Sequence, residues 1–164
     1  MDKLYLSQFA LGGSCHTFGE SVDFHLKARQ QSFVQGYMSI TLDKLVDEGV
    51  LPQTDHLKID VDGLEHLVLL GAKGVLDNPQ LKSVLVELNT HLAEHREIID
   101  RMQALGYGFE QGQVDIAIRR QDAFEGIGNY IFYRPESSIS FGELIFELSA
   151  EQQAKAIDYE AAKS

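Results

Sequence analysis

Between His56 and Leu76 the chain changes from one hydrophobic period to another. Leu57, Ile59 and Val61 alternate with polar residues, which predicts a strand with one apolar face. Leu64, Leu67, Val68, Ala72, Val75 and Leu76 then recur at helical spacing. The strand is expected to end at Asp60–Gly63, and the helix to run from about Leu64 to Asp77-Asn78-Pro79, where proline stops it. Upstream, Thr41 suits an N-cap for a helix carrying Leu42, Leu45 and Val46 and stopping near Gly49. Downstream, Ser83 to Leu88 is almost continuously apolar, as a strand covered on both faces requires. His91 to Leu105 returns to helical spacing through Leu92, Ile99, Met102 and Leu105, with Gly106 as its C-terminal stop. Val114–Ile118 and Asn129–Tyr133 read as two closing strands joined by a Gly-containing loop.

The ends of the chain are less regular. Lys3 to Phe9 reads as a short strand, followed by a turn at Gly12-Gly13 and a loop through Glu20; Ser21 to Tyr37 has no strong period. After Pro135 the pattern predicts an element over Phe141–Leu148 and a final helix with Ser149 and Gln152 as its capping box. Residues 1–135 are therefore expected to form the main domain and 136–164 a helical extension. Strand, helix, strand, helix and two strands is the order of an α/β sheet that is mostly parallel with antiparallel closing strands.

Composition narrows the function classes. A chain of 164 residues, 44% hydrophobic and 24% charged, has the apolar material for a core. The net charge of −11 argues against nucleic acid or an anionic membrane as the primary partner, and Arg119-Arg120 is too short a basic run to reverse that. Cys15 stands alone, so no intrachain disulfide framework exists and a reducing compartment is expected. With no membrane-length apolar run and no signal-peptide pattern at the N-terminus, the cytoplasm is the expected location.

Several separated motifs resemble one family. Thr41-Leu42-Asp43, Leu57-Lys58-Ile59-Asp60-Val61-Asp62-Gly63 with Glu65, Gly71-Ala72, and Val86-Glu87-Leu88-Asn89 occur in the order found in FkbM-type methyltransferases. The resemblance spans roughly Leu4 to Arg134. It implies a Rossmann-like methyltransferase fold and methyl transfer from S-adenosylmethionine to a hydroxyl of a sugar or other small metabolite. The likeness is to the C-terminal half of that fold. Neither Gly12-Gly13 nor Gly106-Tyr107-Gly108 has the acidic strand end and spaced glycines of the family's cofactor turn. Met1 is expected to begin after the segment that would supply the first three strands. The edge of the central strand is then expected to be covered by the Lys3–Phe9 strand, by another copy of the chain or by a second polypeptide.

Methyl transfer to oxygen requires a group that removes the acceptor proton. Asp60 and Asp62 at the strand end, and His91 at the next helix start, are the catalytic candidates. Asp60 and Gly63 are the candidate cofactor contacts, while Glu65, Glu87, Asn89, Ser14 and His16 are candidate substrate contacts. Plainer roles stand beside these: Asp62 suits a helix cap, Asp60 suits loop amides, and Glu65 suits the helix dipole. No metal site is expected, because His91 and His95 lack a further ligand at diagnostic spacing. Cys15 lacks an evident base, His16 being only its sequence neighbour. A strand followed by Asp-x-Asp-Gly also resembles haloacid dehalogenase-like phosphatases. Here, however, the motif does not open the domain, and Leu64 stands where a hydroxyl residue is expected. EF-hand spacing fails because Gly63 directly follows Asp62. The alternative from another class is a non-catalytic binding or assembly module, or a gene remnant, built on the same fold.

Overall fold

The computed structural model describes residues 2–7, 16–121 and 124–135. Ser14, Cys15, Phe9 and everything expected beyond Pro135 lie outside the described residues, including the element over Phe141–Leu148, the final helix and its capping box. The chain divides into two compact units, Met1–Gln53 with Asp60–Asn78, and Thr54–Ile59 with Pro79–Ser164.

The first unit contains strands β1 (Asp2–Leu6), β2 (Thr17–Phe18) and β3 (Phe33–Tyr37), and helices α1 (Leu42–Asp47), α2 (Glu65–Leu70) and α3 (Lys73–Asp77). Its sheet has the order β2-β1-β3 and both pairings are antiparallel. The N-terminal strand expected near Lys3 therefore exists but pairs with β2 and β3, so it is not the cover expected for the central strand. Strand β3 lies in the stretch without a readable period because all five of its residues are exposed. An edge strand that buries neither face leaves no alternation in the sequence.

Helix α1 starts and stops as its residues dictate. The Thr41 hydroxyl accepts from the Lys44 N–H at 3.2 Å, and Gly49 leaves the helix at φ 68°. The Gly49 N–H donates to the Val46 carbonyl and the Val50 N–H to the Leu45 carbonyl, which is a complete Schellman stop.

The single helix expected from Leu64 to Asp77 is instead α2 and α3, broken at Gly71-Ala72. Residues from the start of α1 cause the break. The Asp43 N–H donates to the Gly71 carbonyl at 3.1 Å, and the Asp43 carboxylate accepts from the Val75 N–H at 3.0 Å. Asp43 thereby caps α3 from a distant part of the chain, in place of a residue at the helix's own N-cap, Ala72. Gly71 lets α1 approach: a Cβ there would meet the Thr41 side chain at 3.0 Å. Leu69, Ala72, Val75 and Leu76 are buried.

The second unit contains β4 (His56–Ile59), β5 (Ser83–Asn89), α4 (Ala93–Ala104), α5 (Gln111–Ala117) and β6 (Ile127–Tyr133). The sheet order is β4-β5-β6, with β4 parallel and β6 antiparallel to β5. Of the strand pairings among the described residues, only β4–β5 is parallel, so the expected mostly parallel sheet is a mixed one here. The antiparallel closing strand is present as β6. Val84, Val86, Leu88 and Phe132 are fully buried, which explains the uninterrupted apolar run of β5. Helix α4 ends at Gly106 with φ 84°. The Gly106 N–H donates to Gln103 and the Tyr107 N–H to Met102, a second Schellman stop.

Val114–Ile118, expected as a strand, belongs mostly to α5. Gln113, Val114 and Ala117 are the buried residues of that helix, a helical stripe disguised by its polar first member. The Gln113 amide donates to the Asn129 carbonyl at 2.9 Å and accepts from the Ile131 N–H at 3.2 Å. One side chain thus meets the backbone of β6 as a neighbouring strand would.

Tyr130 stacks on Phe132 and meets Phe109 edge-on, with ring centroids at 6.0 Å and 5.4 Å. Burial pushes the Tyr130 hydroxyl above its ordinary range, and the Asp115 carboxylate adds to the shift. Because the folded value exceeds the unfolded one, the folded chain holds this proton more tightly. The resulting stability is complete below the unfolded value of about 10 and is lost as pH rises through the folded value. Tyr133 shifts in the same direction, through burial and its bond to Glu110. Tyr130→Phe should therefore lose less stability than wild type between about pH 9 and pH 11, measured by urea unfolding at each pH. Equal losses in both proteins would remove Tyr130 as a source of alkaline instability.

Candidate functional site

In the first unit, the candidate residues form a loop closed around a carboxylate. Asp60 directly follows the last residue of β4, Asp62 takes a left-handed conformation at φ 55°, and Gly63 follows at φ 110°. Glu65, at the start of α2, is 1% exposed. Its Oε1 accepts from the Val61 N–H at 3.0 Å, and its two oxygens accept from the Gly63 N–H at 3.3 and 3.1 Å. No side chain caps α2 at its N-cap residue, Leu64. Glu65, the first residue of the helix, instead reaches back to the loop amides of Val61 and Gly63 ahead of the N-cap.

The left-handed Asp62 and Gly63 let the chain turn tightly enough for this, and the second turn packs closely. A Cβ at Gly63 would lie 3.3 Å from the Phe24 Cα and 3.6 Å from a Leu26 methyl. The Phe24 segment is itself held by Asp23, whose carboxylate accepts from the His25 and Lys27 N–H groups at 2.9 and 3.0 Å. On the outside of the loop, Asp60 is exposed and Asp62 partly buried. His16 is engaged with Ser7: its Nδ1 accepts from the Ser7 N–H and lies 3.2 Å from the Ser7 Oγ.

In the second unit, Glu87, Asn89 and His91 gather where β5 passes into α4. Asn89 is buried. Its N–H donates to the His95 Nδ1 at 2.9 Å, and its side-chain oxygen accepts from the His91 N–H at 3.1 Å. That Asx turn fixes the direction of the chain into the helix. His95 is buried, and the bond from Asn89 assigns the neutral ring's proton to Nε2. His91 is exposed, so the two histidines four residues apart occupy different environments. Among the described residues, no group of three or more His, Cys, Asp or Glu is placed to hold a metal ion.

Two residues that were not among the site candidates complete this cluster. Arg119 lies 3.6 Å from the Glu87 carboxylate and stands over the Phe124 ring at 5.0 Å. Its neighbour on the loop, Gly126, supports His91: a Cβ at Gly126 would overlap the imidazole at Nε2 and Cδ2. The sequence signal for Arg119 was a short basic pair, and for Gly126 a glycine beside an apolar run; neither specifies a contact.

Gly126→Ala should destabilise the protein by roughly 1–2 kcal/mol through its φ of 84° alone, and displace the exposed His91 ring as well. A double-mutant cycle separates the effects. The cost of Gly126→Ala should fall in a His91→Ala background, and additive costs would show that the ring does not rest on Gly126.

The first unit, taken by itself, presents an exposed carboxylate at a strand end, and the second holds an imidazole near a paired guanidinium. The profile of the methyltransferase FkbM domain matches residues 6–109, more than half of the chain. The chain belongs to the FkbM methyltransferase family. The matched span of this FkbM domain includes the Thr41–Asp43, Asp60–Glu65, Gly71-Ala72 and Val86–Asn89 motifs, and ends before α5, Arg119 and Gly126. No curated protein and no solved structure gives a significant match to the FkbM chain.

Proposed function

We propose that this FkbM domain transfers a methyl group from S-adenosylmethionine to a hydroxyl oxygen of a sugar or another small metabolite, on a sheet of Rossmann-like descent. The observation that carries the reading is the family match across residues 6–109, which includes the acidic loop after β4. When bound, the cofactor supplies an electrophilic methyl group on a sulfonium. The chain's own task is to orient the acceptor hydroxyl and take its proton. Asp60 and Asp62 are the proposed proton acceptors in the first unit and His91 in the second, each to be tested by its own variant.

The residues present fit the cofactor in part. Asp60 offers an exposed carboxylate that hydroxyl groups of a nucleoside can donate to. Gly63 offers no open cradle: its N–H is held by Glu65, and Phe24 lies against the place of its missing Cβ. Its proposed contribution is therefore the turn that presents Asp60. Glu65 acts on substrate through the loop it holds. Glu87 and Asn89 in the second unit, and separately Ser14 and His16, are the proposed acceptor contacts, each to be tested by its own variant, and a cytoplasmic setting belongs to the same reading.

The closed Gly63 also favours a second reading, a binding module of this family that does no transfer. Incubation with methyl-labelled S-adenosylmethionine and a panel of hydroxylated acceptors separates the two. Release of S-adenosylhomocysteine in step with acceptor methylation supports the enzyme. Tight acceptor binding without transfer supports the module.

A further inference from the structure

We propose that two copies of this chain pair antiparallel along β3, about a twofold axis at Gln35. The large hydrophobic side chains most exposed among the described residues all belong to the first unit, and five of them, Phe33, Val34, Tyr37, Met38 and Ile40, lie on β3 or directly after it. Strand β3 has β1 along one side and ends the order β2-β1-β3, so among the described residues its other side is the edge of that sheet. Edges of this kind are ordinarily protected by lysine, proline or a bulge. None protects β3: from Gln30 to Leu42 the sequence contains no charged residue and no proline.

Three features indicate a second copy as the occupant. The first is that the strand is self-complementary. Antiparallel pairing centred on Gln35 sets Phe33 opposite Tyr37 of the other copy twice over, with Gln35 opposite itself, so both aromatic pairs and an amide pair fall on one face. The second is charge. The nearest charges flanking the neutral stretch are Arg29 before it and Asp43 after it. The neutral stretch between them lets two chains of net charge −11 approach along β3 without like charges meeting at the strand. The third is Gly36, which has nothing within 4 Å of an added Cβ and no left-handed φ. Among the described residues nothing requires a glycine there, whereas glycine within a strand often marks the approach of another backbone.

The test is the mass of the full chain by sedimentation equilibrium, with two substitutions. Wild type should be a dimer at roughly 100 µM, the weak range expected of a small interface. Gln35→Lys, which places like charges opposite each other, should weaken dimerisation by about tenfold or more without altering the circular dichroism. In a Cys15→Ser background, Gln35→Cys should oxidise to a disulfide-linked dimer, because opposed residues lie within disulfide reach. Val34→Cys, placed opposite Gly36 of the other copy, should cross-link far less. A monomer at that concentration overturns the proposal, as does a dimer indifferent to Gln35→Lys or one in which Val34→Cys cross-links as well as Gln35→Cys. An apolar segment of a different protein as the true occupant would give the monomer.

Discussion

Glu65→Ala should destabilise the first unit by about 3 kcal/mol, and Glu65→Gln by about 1 kcal/mol. The alanine variant leaves the buried Gly63 N–H and the part-buried Val61 N–H without the Glu65 acceptor, at a cost of roughly 1–3 kcal/mol for a buried group and less where water enters. The glutamine variant keeps an oxygen at the Oε1 position, from which it still accepts from Val61 and, at longer range, from Gly63. What it loses is the charge of the acceptor and the Oε2 bond from the Gly63 N–H, where an amide NH2 that can only donate now stands. Urea unfolding of the three proteins measures the difference. Equal stability of Glu65→Ala and wild type would show that the loop holds its turn without the carboxylate. The consequence extends to Asp60 and Asp62, because their backbone is the loop that Glu65 closes.

Asp60→Asn should lower methyl transfer by about 100-fold or more while leaving the urea midpoint within experimental error of wild type. The carboxylate is exposed, and the amide is nearly the same size, so the fold has little to lose. The reaction loses a charged acceptor where a hydroxyl proton or a nucleoside hydroxyl is proposed to bind. The rate of S-adenosylhomocysteine release gives the first quantity and denaturation the second. Unchanged turnover would remove Asp60 from the chemistry and leave Asp62 and His91 as the proton acceptors to test. A matching fall in stability would make Asp60 a structural residue.

What could be read from the sequence was local. Thr41 as a cap, Gly49 and Gly106 as stops, and the apolar run of β5 each depend on neighbours within one turn or strand, and each stands in the structure. The misreadings share the opposite property. Asp43 breaks the Leu64–Asp77 helix from α1, a contact between distant positions that no hydrophobic period encodes. Gln113 disguised α5 because a buried amide reads as a surface residue until its partners on β6 are known. Strand β3 escaped notice because its exposed faces impose no alternation.

The same division applies to the candidate residues. The Asp60–Glu65 loop was legible as a strand-to-helix junction rich in carboxylates. The inward turn of Glu65 was not, since an acidic residue in a first helical turn is equally well placed facing solvent. Around β5, Glu87, Asn89 and His91 were legible from their place at a strand end. Arg119 and Gly126 come from a later loop, and only the antiparallel return of β6 brings that loop beside them.

The central claim, that this FkbM domain uses S-adenosylmethionine, is tested most directly by isothermal titration of the purified 164-residue chain with that cofactor. The account predicts saturable binding in roughly the micromolar range, weakened by Asp60→Asn. A well-folded chain that releases or absorbs no heat of binding up to about millimolar cofactor would contradict it, and would leave the family fold serving a purpose other than methyl transfer.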